Sequence, residues 1–344
     1  MPGEFEPHEA TVMCWPVRRS IWGTHHDRAE DDFAAIAAAV GAFEPVIMVA
    51  PPSDAERAAK LCSAAGGTAV EVVVLPINDS WARDHGPMYA VDSGGRPVVV
   101  DFVFNAWGEK FTPYDDDALL ARRWAERRGE QVRTSTMVLE GGAIAVDGQG
   151  TLVTTEQCLL HPNRNPSMGR SEMTDELAAM LGTTTVVWLP HGLALDHDTD
   201  GHVDNVAAFT RPGELLVQGC DDPTEADHER LAANASRLVG AVGAGGEPID
   251  VVEVPVLPFT QLDDERLVVP YLNLYVCNGG VLVPTCGHPA DDEMLGLISE
   301  RFPGRRVVGV PGAVLALGGG GPHCITQQIP VSPGGDRLTE PVRG

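Results

Sequence analysis

The chain has 344 residues, 43% of them hydrophobic, and a formal net charge of −25. That is ample for a large core, while so acidic a surface excludes nucleic acid as partner, attracts small cations at long range and serves solubility. No apolar run approaches the ~18 residues of a membrane span, the start MPGEFEPHEA lacks a secretory pattern, and the seven cysteines include no C-x-x-C, so a cytoplasmic, reducing compartment is expected, with neither disulfide framework nor zinc ribbon.

In chain order, residues 31–40 read as a helix and VIMVAPP (46–52) as a strand. Ser53-Asp54-Ala55-Glu56 has the form of a capping box opening a helix to about Ala65. VVVLP, closing at Pro76, is a short β-branched strand, followed by WARDHGP. A helix over 116–128 leads to MVLEGG, and one over 172–181 leads to VVWLP, ending at Pro190 before DHDTDGHVDN. Asp222-Pro223-Thr224-Glu225 supplies N-cap, N1 proline and N3 acid for a helix to about Val239, before VVEVP. A helix over 290–301 precedes VVGVP, and then comes GGGGPHC.

The five strand-ending runs recur at intervals of roughly 50–65 residues, as structural repeats do. Each reads as a buried strand. Strands alternating with helices make an α/β protein, and five similar units suggest five modules around an axis. No linker divides the chain, so 1–330 is expected as one domain, with 331–344 a frayed tail. The unusual polar residues fall at strand ends, where α/β folds collect ligand sites.

DHDTDGHVDN starts like an EF-hand loop, but position 12 counted from Asp196 is Ala207, not the bidentate Glu that calcium requires. His197 and His202 lack the cysteines or the H-E-x-x-H context of a zinc site. In an extended segment His202 and Asp204 would share a face, placing an imidazole beside a carboxylate, with Val203 turned into the core. Cys324 follows a glycine run that permits close backbone approach to a ligand, and so is a candidate nucleophile. Asp84 and Glu140 add two acids at comparable strand ends. Taken singly, each has a bland reading: a core histidine, an inert thiol, a capping acid. Together, three carboxylates beside a thiol would discourage the thiolate unless the substrate is cationic. A guanidinium satisfies them, being planar, positive and matched to carboxylates through paired N–H donors.

The segments EFEPHEATVMCWP, WARDHGP, LEGGAIAVDGQGTLVTTEQCLL, HPNRNP, DTDGHVDN, PYLNLYVCNGG and GGGGPHCITQQ resemble, in order over about residues 3–330, the agmatine deiminases of the bacterial-type peptidylarginine deiminase family, in the guanidine-modifying pentein superfamily. The resemblance implies a five-bladed α/β propeller with pseudo-fivefold symmetry, a homodimer, a small cationic guanidine substrate, and no metal or organic cofactor. It implies Cys324 as nucleophile and His202 as general acid/base. Glu140 would contact the guanidinium or orient the histidine, and Asp84 and Asp204 would grip it. Trp81 and Trp107 would line the pocket. The distal amine of agmatine needs an acid or a carbonyl, for which Asp198 is the candidate. Two positions depart from the usual motif: Gly321-Pro322 stands where Asn-Ile is common, and His85 where Thr is common. Deimination or amidinotransfer on another guanidine is the alternative enzymatic reading, and a calcium-binding or silent interaction module the non-enzymatic one.

Overall fold

In the computed structural model, which describes residues 1–331, the chain is a mixed α/β fold built from small separate sheets. The first holds β1 (His8–Cys14), β2 (Val46–Ala50) and β3 (Val70–Val74). The second holds β4 (Met88–Val91), β5 (Pro97–Val103) and β6 (Val132–Val138), and the third β7 (Ile144–Val146), β8 (Thr151–Thr155) and β9 (Thr185–Leu189). The fourth holds β10 (Ala207–Arg211), β11 (Glu214–Gln218) and β12 (Asp250–Val254). A separate hairpin, β13 (Phe259–Leu262) with β14 (Glu265–Val268), precedes the fifth sheet of β15 (Tyr275–Cys277), β16 (Gly280–Thr285) and β17 (Arg306–Pro311). The final strand, β18 (Thr326–Pro330), returns to the first sheet and pairs antiparallel with β1.

One pattern recurs. In sheets two to five the first two strands form an antiparallel pair, a helix crosses over, and the last strand joins the second in parallel. Such a parallel return needs a long crossover, which here is helical. The first sheet follows the same rule with one more helix and strand, β1, β2 and β3 running parallel. The five recurrent runs of the sequence are therefore the last strands of the sheets: β3, β6, β9, β12 and β17.

They are not the buried strands that their composition suggests. Each has a paired neighbour on one side only, and most of its residues keep some exposure, Val74 reaching 48%. The strands covered along their whole length are β8 and β11 in the middle of their sheets and β15 and β18 at the opposite edge from the last strands. A β-branched run thus marks an edge as readily as a centre, because a helix laid over one face buries alternate residues.

The expected helices are present, with shifted starts: His26–Gly41, Ala55–Ala64, Leu120–Arg128, Arg170–Leu181, Asp227–Leu238 and Asp291–Arg301. The capping box at Ser53 does not form; Asp54 is the N-cap and the Ser53 hydroxyl donates to its carboxylate. Asp222 does not cap a helix either. Its Oδ1 accepts from the Thr224 N–H and hydroxyl in a local turn, and the helix begins at Asp227. Short Asp side chains often choose such a turn over a cap. Among the described residues no helix is long and apolar enough to cross a membrane. Apart from Val331, the expected tail lies outside the described residues.

The largest apolar cluster joins Phe33, Ile36 and Val40 of the first long helix to Met13 and Met48 of the first sheet and to Trp15 just past β1. Trp81, Trp107 and Cys324 belong to that same cluster. Each large side chain buried there contributes about 1.5–3 kcal/mol, so the candidate site is held by the most strongly packed part of the molecule.

Candidate active site

From each last strand the chain crosses to the next sheet, and each crossing brings one or more polar side chains into a shared buried site. After β3 comes the short helix Ala82–His85 with Asp84. After β6 come Glu140, Gly141 and Gly142. After β9 come His202 and Asp204, after β12 Asn273, and after β17 Cys324. The sequence of every crossing therefore matters at one place, although the five are far apart along the chain.

Gly142 shows how closely they meet. A Cβ at this position would lie 2.6 Å from His202 Nδ1, 2.9 Å from Asp84 Oδ1 and 3.0 Å from Asp204 Oδ2. Its N–H donates to Asp84 Oδ1 at 2.9 Å. The other oxygen, Asp84 Oδ2, accepts from the Trp107 indole Nε1 at 2.9 Å. Positive φ angles at Ala106 (51°), Trp107 (56°) and Glu109 (62°) bend that loop into place. Non-glycine residues seldom adopt this region, and such strain gathers at functional sites. The Asn105 side chain holds the bend by accepting from the Gly108 N–H at 2.9 Å.

His202 is 1% exposed and neither ring nitrogen has a hydrogen-bond partner. Its Nδ1 stands 3.9 Å from Asp84 Oδ1 and its Nε2 3.7 Å from Glu140 Oε2. Burial alone would drive the proton off, but the facing Asp84 and Glu140 outweigh it and hold His202 well above the usual imidazole range. Burial likewise works against the charge of Glu140, and Arg164, donating from Nε at 2.6 Å, reverses this and keeps the carboxyl low. Burial pushes Asp84 up, with help from Asp204 and Glu140.

The Cys324 sulfur accepts from Asn273 Nδ2 at 3.1 Å and lies 3.5 Å from Asp204 Oδ2. Burial, then Asp204, then Asp84 push its thiol well above the ordinary value, while the Gly321 backbone and Asn273 act in the opposite sense. The glycine run gives room. A Cβ on Gly320 would be 2.5 Å from the Trp81 ring and 3.0 Å from the Cys324 sulfur. Trp81 packs against Trp22 with ring centroids 5.8 Å apart and the planes tilted by 34°, and forms a wall beside the sulfur. Asp198 is exposed, with Oδ2 2.7 Å from where a Gly319 Cβ would sit.

The arrangement offers a shielded thiol, an imidazolium and three buried carboxylates around one small space, a set suited to a planar cation. Glu140, Cys158 and His202 also place ligand-capable atoms within 4.8 Å of one another. Arg164 already balances that glutamate.

The model of the Porphyromonas-type peptidyl-arginine deiminase family matches residues 1–330. The chain belongs to this family. Agmatine deiminase of Stutzerimonas stutzeri is 39% identical, over 96% of this chain and 95% of its own length. The solved agmatine deiminase of Enterococcus faecalis is 31% identical, covers 96% of this chain and 95% of its own, and superposes with a TM-score of 0.90. That of C. jejuni, a cysteine-to-serine variant with substrate bound, is 26% identical, with 96% of each chain covered and a TM-score of 0.87.

All five residues read as catalytic in this deiminase-family chain, together with Trp81 and Trp107, fall in or against this space. The reason expected for His202 and Asp204 does not hold. Val203–Asn205 is a 3-10 turn rather than an extended segment. Both side chains reach the site because the turn directs them there, while Val203 is buried as expected. The acids upstream are loop-builders. Asp196 accepts from the Thr199 N–H and hydroxyl and from the His202 N–H, and Asp200 is held by Lys110, Asn163 and Arg164.

The sequence reading missed Asn273, Arg164 and His323. Asn273 is fully buried and also hydrogen-bonds Asn205 at 3.0 Å. His323 Nδ1 lies 2.9 Å from Asp204 Oδ2. Asn273 and Arg164 stand inside PYLNLYVCNGG and HPNRNP, and a polar residue is due in each crossing, so periodicity was the signal that could have found Asn273.

Proposed function

We propose that this chain is an agmatine deiminase, releasing ammonia and N-carbamoylputrescine through a covalent intermediate on Cys324. The observation that carries the reading is the meeting of Asp84 Oδ1, Asp204 Oδ2 and His202 Nδ1 around one point, with the Cys324 sulfur 3.5 Å from Asp204. The names of the relatives support agmatine as the guanidine. Asp84 and Asp204 grip the guanidinium, whose charge offsets the acids that disfavour the thiolate. As the guanidinium binds, Cys324 releases its proton to solvent, and the thiolate attacks the guanidinium carbon to give a tetrahedral adduct. His202, held protonated by Asp84 and Glu140, gives its proton to the departing nitrogen, and ammonia leaves. The planar thiouronium is then attacked by water that has lost a proton to neutral His202, and collapse frees the ureido product and the thiol. Pre-placed charge of this kind is worth several kcal/mol of barrier.

Asp198 suits the distal amine. Its carboxylate lies over Gly319, whose neighbour Gly320 faces the Cys324 sulfur, so an acid stands beside the glycine run that borders the nucleophile, where the far end of a short aliphatic chain would lie. Of the two departures from the motif, Gly321 meets the Cys324 sulfur through its backbone alone, and His85 stands back from it. The His85 ring stands against Phe104 and near Asp117. A side chain at Gly321 would run into Asn273, 2.5 Å away, so glycine lets this loop close on its partner.

The five matching sheets, with β18 returning to β1, support one five-bladed propeller domain over residues 1–330. The cysteines are free in the structure, which suits a cytoplasmic enzyme, and the family resemblance favours a homodimer. The deciding experiment is a guanidine panel read by ammonia release and product mass. Turnover of agmatine well above arginine and peptidyl-arginine is expected. A new guanidine product would mean amidinotransfer, and turnover confined to a larger guanidine would overturn agmatine as substrate.

A further inference from the structure

Asp204 is 3% exposed, stands 3.5 Å from a thiol and faces Asp84 in the same enclosure. Burial alone would make such an acid keep its proton. It is held low instead, because His323 stands behind it and outweighs the burial. The two ring nitrogens of His323 face two different carboxylates. Nδ1 is 2.9 Å from Asp204 Oδ2, and Nε2 is 3.0 Å from Glu4 Oε2. A ring that donates on both sides is the imidazolium.

Glu4 comes from the segment before β1, the other end of the chain from His323. It is fixed on all sides. Its Oε2 also accepts from Arg83 Nη2 at 2.7 Å, its Oε1 accepts from the Val276 N–H at 2.8 Å, and its carbonyl oxygen is bonded by His8 Nε2 at 2.7 Å. Although burial opposes the charge, His323 and Arg83 pull its carboxyl down to about 2. The charged groups facing His323 are thus Asp204 and Glu4, which favour its proton, and Arg83, which opposes it. Glu4 both supplies one of the two acids and neutralises the arginine. Without it, an imidazole and a guanidinium would share one enclosure with Asp204 alone between them and the site. A cavity lined by Glu4, Arg83, Asp204 and His323 borders the group.

We propose that Glu4 is a positioning residue for catalysis: it keeps His323 an imidazolium behind Asp204, so that Asp204 is an anion when the guanidinium arrives. The inference rests on the reading in which Asp204 grips that guanidinium. It makes the first few residues of the chain part of the active site, although none of them touches the reacting atoms.

The test is Glu4→Gln, which keeps the size and the acceptor for Val276 and removes the charge. Its kcat/KM for agmatine should fall by about tenfold at pH 6 and by no more than about twofold at pH 8.5, mostly through KM, because without the imidazolium behind it the buried Asp204 takes up a proton as pH falls and gives it up as pH rises. Glu4→Asp should recover part of the activity at pH 6. Imidazole proton NMR, with the His323 signal assigned by His323→Asn, should show His323 titrating at lower pH in Glu4→Gln than in the natural protein. An equal loss at every pH, or a His323 titration that does not move, overturns the inference. So does a moved titration with an unmoved pH profile, which leaves the functional reading intact. A natural protein releasing no ammonia from any guanidine overturns both.

Discussion

Gly142→Ala tests the geometry most directly. The backbone is no obstacle, since Gly142 is not among the residues with positive φ. The added methyl would sit 2.6, 2.9 and 3.0 Å from His202, Asp84 and Asp204, and ordinary contact begins near 3.4 Å. One or more of these groups must therefore move by several tenths of an ångström. Overpacking of this kind costs about 1–3 kcal/mol of stability, and a ~1 Å misplacement at a reacting centre costs about 100-fold in rate. We expect kcat/KM to fall by roughly 100-fold, about 2.7 kcal/mol of transition-state stabilisation. Ammonia release from agmatine gives the rate, and thermal melting followed by circular dichroism gives the fold. Gly296→Ala is the control. It lies within the helix Asp291–Arg301 with open space where its Cβ would be, and alanine there should add about 0.5–1 kcal/mol of stability with no change in rate. A Gly142→Ala protein that melts earlier yet turns over normally would refute the idea that these three side chains enclose the substrate.

Cys324→Ala should abolish ammonia release and leave the melting curve nearly unchanged, and near-normal turnover would sink the mechanism. Trp107→Phe keeps the ring but removes the N–H that Asp84 Oδ2 accepts; kcat/KM should drop about tenfold to a hundredfold, in line with ~1.5–3 kcal/mol for a hydrogen bond to a charged group, as steady-state kinetics will show. Burial raises Asp117 to about 7, and its Oδ2 has no partner. A carboxyl whose folded value lies above its unfolded one binds more protons when folded, so stability falls as pH rises from about 4 to 7. Urea unfolding between pH 5 and 8 should show that slope in the natural protein and a smaller one in Asp117→Asn; parallel curves would mean that Asp117 is charged throughout.

How far the sequence could be read depended on what holds each residue in place. The last strand of every sheet was legible, because a β-branched run closed by Pro or Gly is a local signal. That these strands lie at edges was not, since exposure depends on which neighbours the fold provides. Cys324, His202, Asp204, Asp84 and Glu140 were found because each stands in or near a short unusual motif just past its strand. Asn273 broke the rule in spacing only: the hairpin of β13 and β14 intervenes between β12 and the polar residue. Glu4 and His323 lie near opposite ends of the chain, and no local pattern announces a contact between them. The turn at Val203–Asn205 shows the reverse case, a correct juxtaposition reached from a wrong backbone conformation.

The pairing of β18 with β1 ties the candidate nucleophile to the closing of the first sheet. β1 precedes β18 by more than 300 residues, so until β18 docks the first sheet has one edge unpaired. Unpaired edges invite association with other chains. Cys324 lies directly ahead of β18. On the proposed reading, the pairing that closes the first sheet therefore also sets the candidate nucleophile in place, and a chain in which β18 has not docked on β1 should release no ammonia from agmatine.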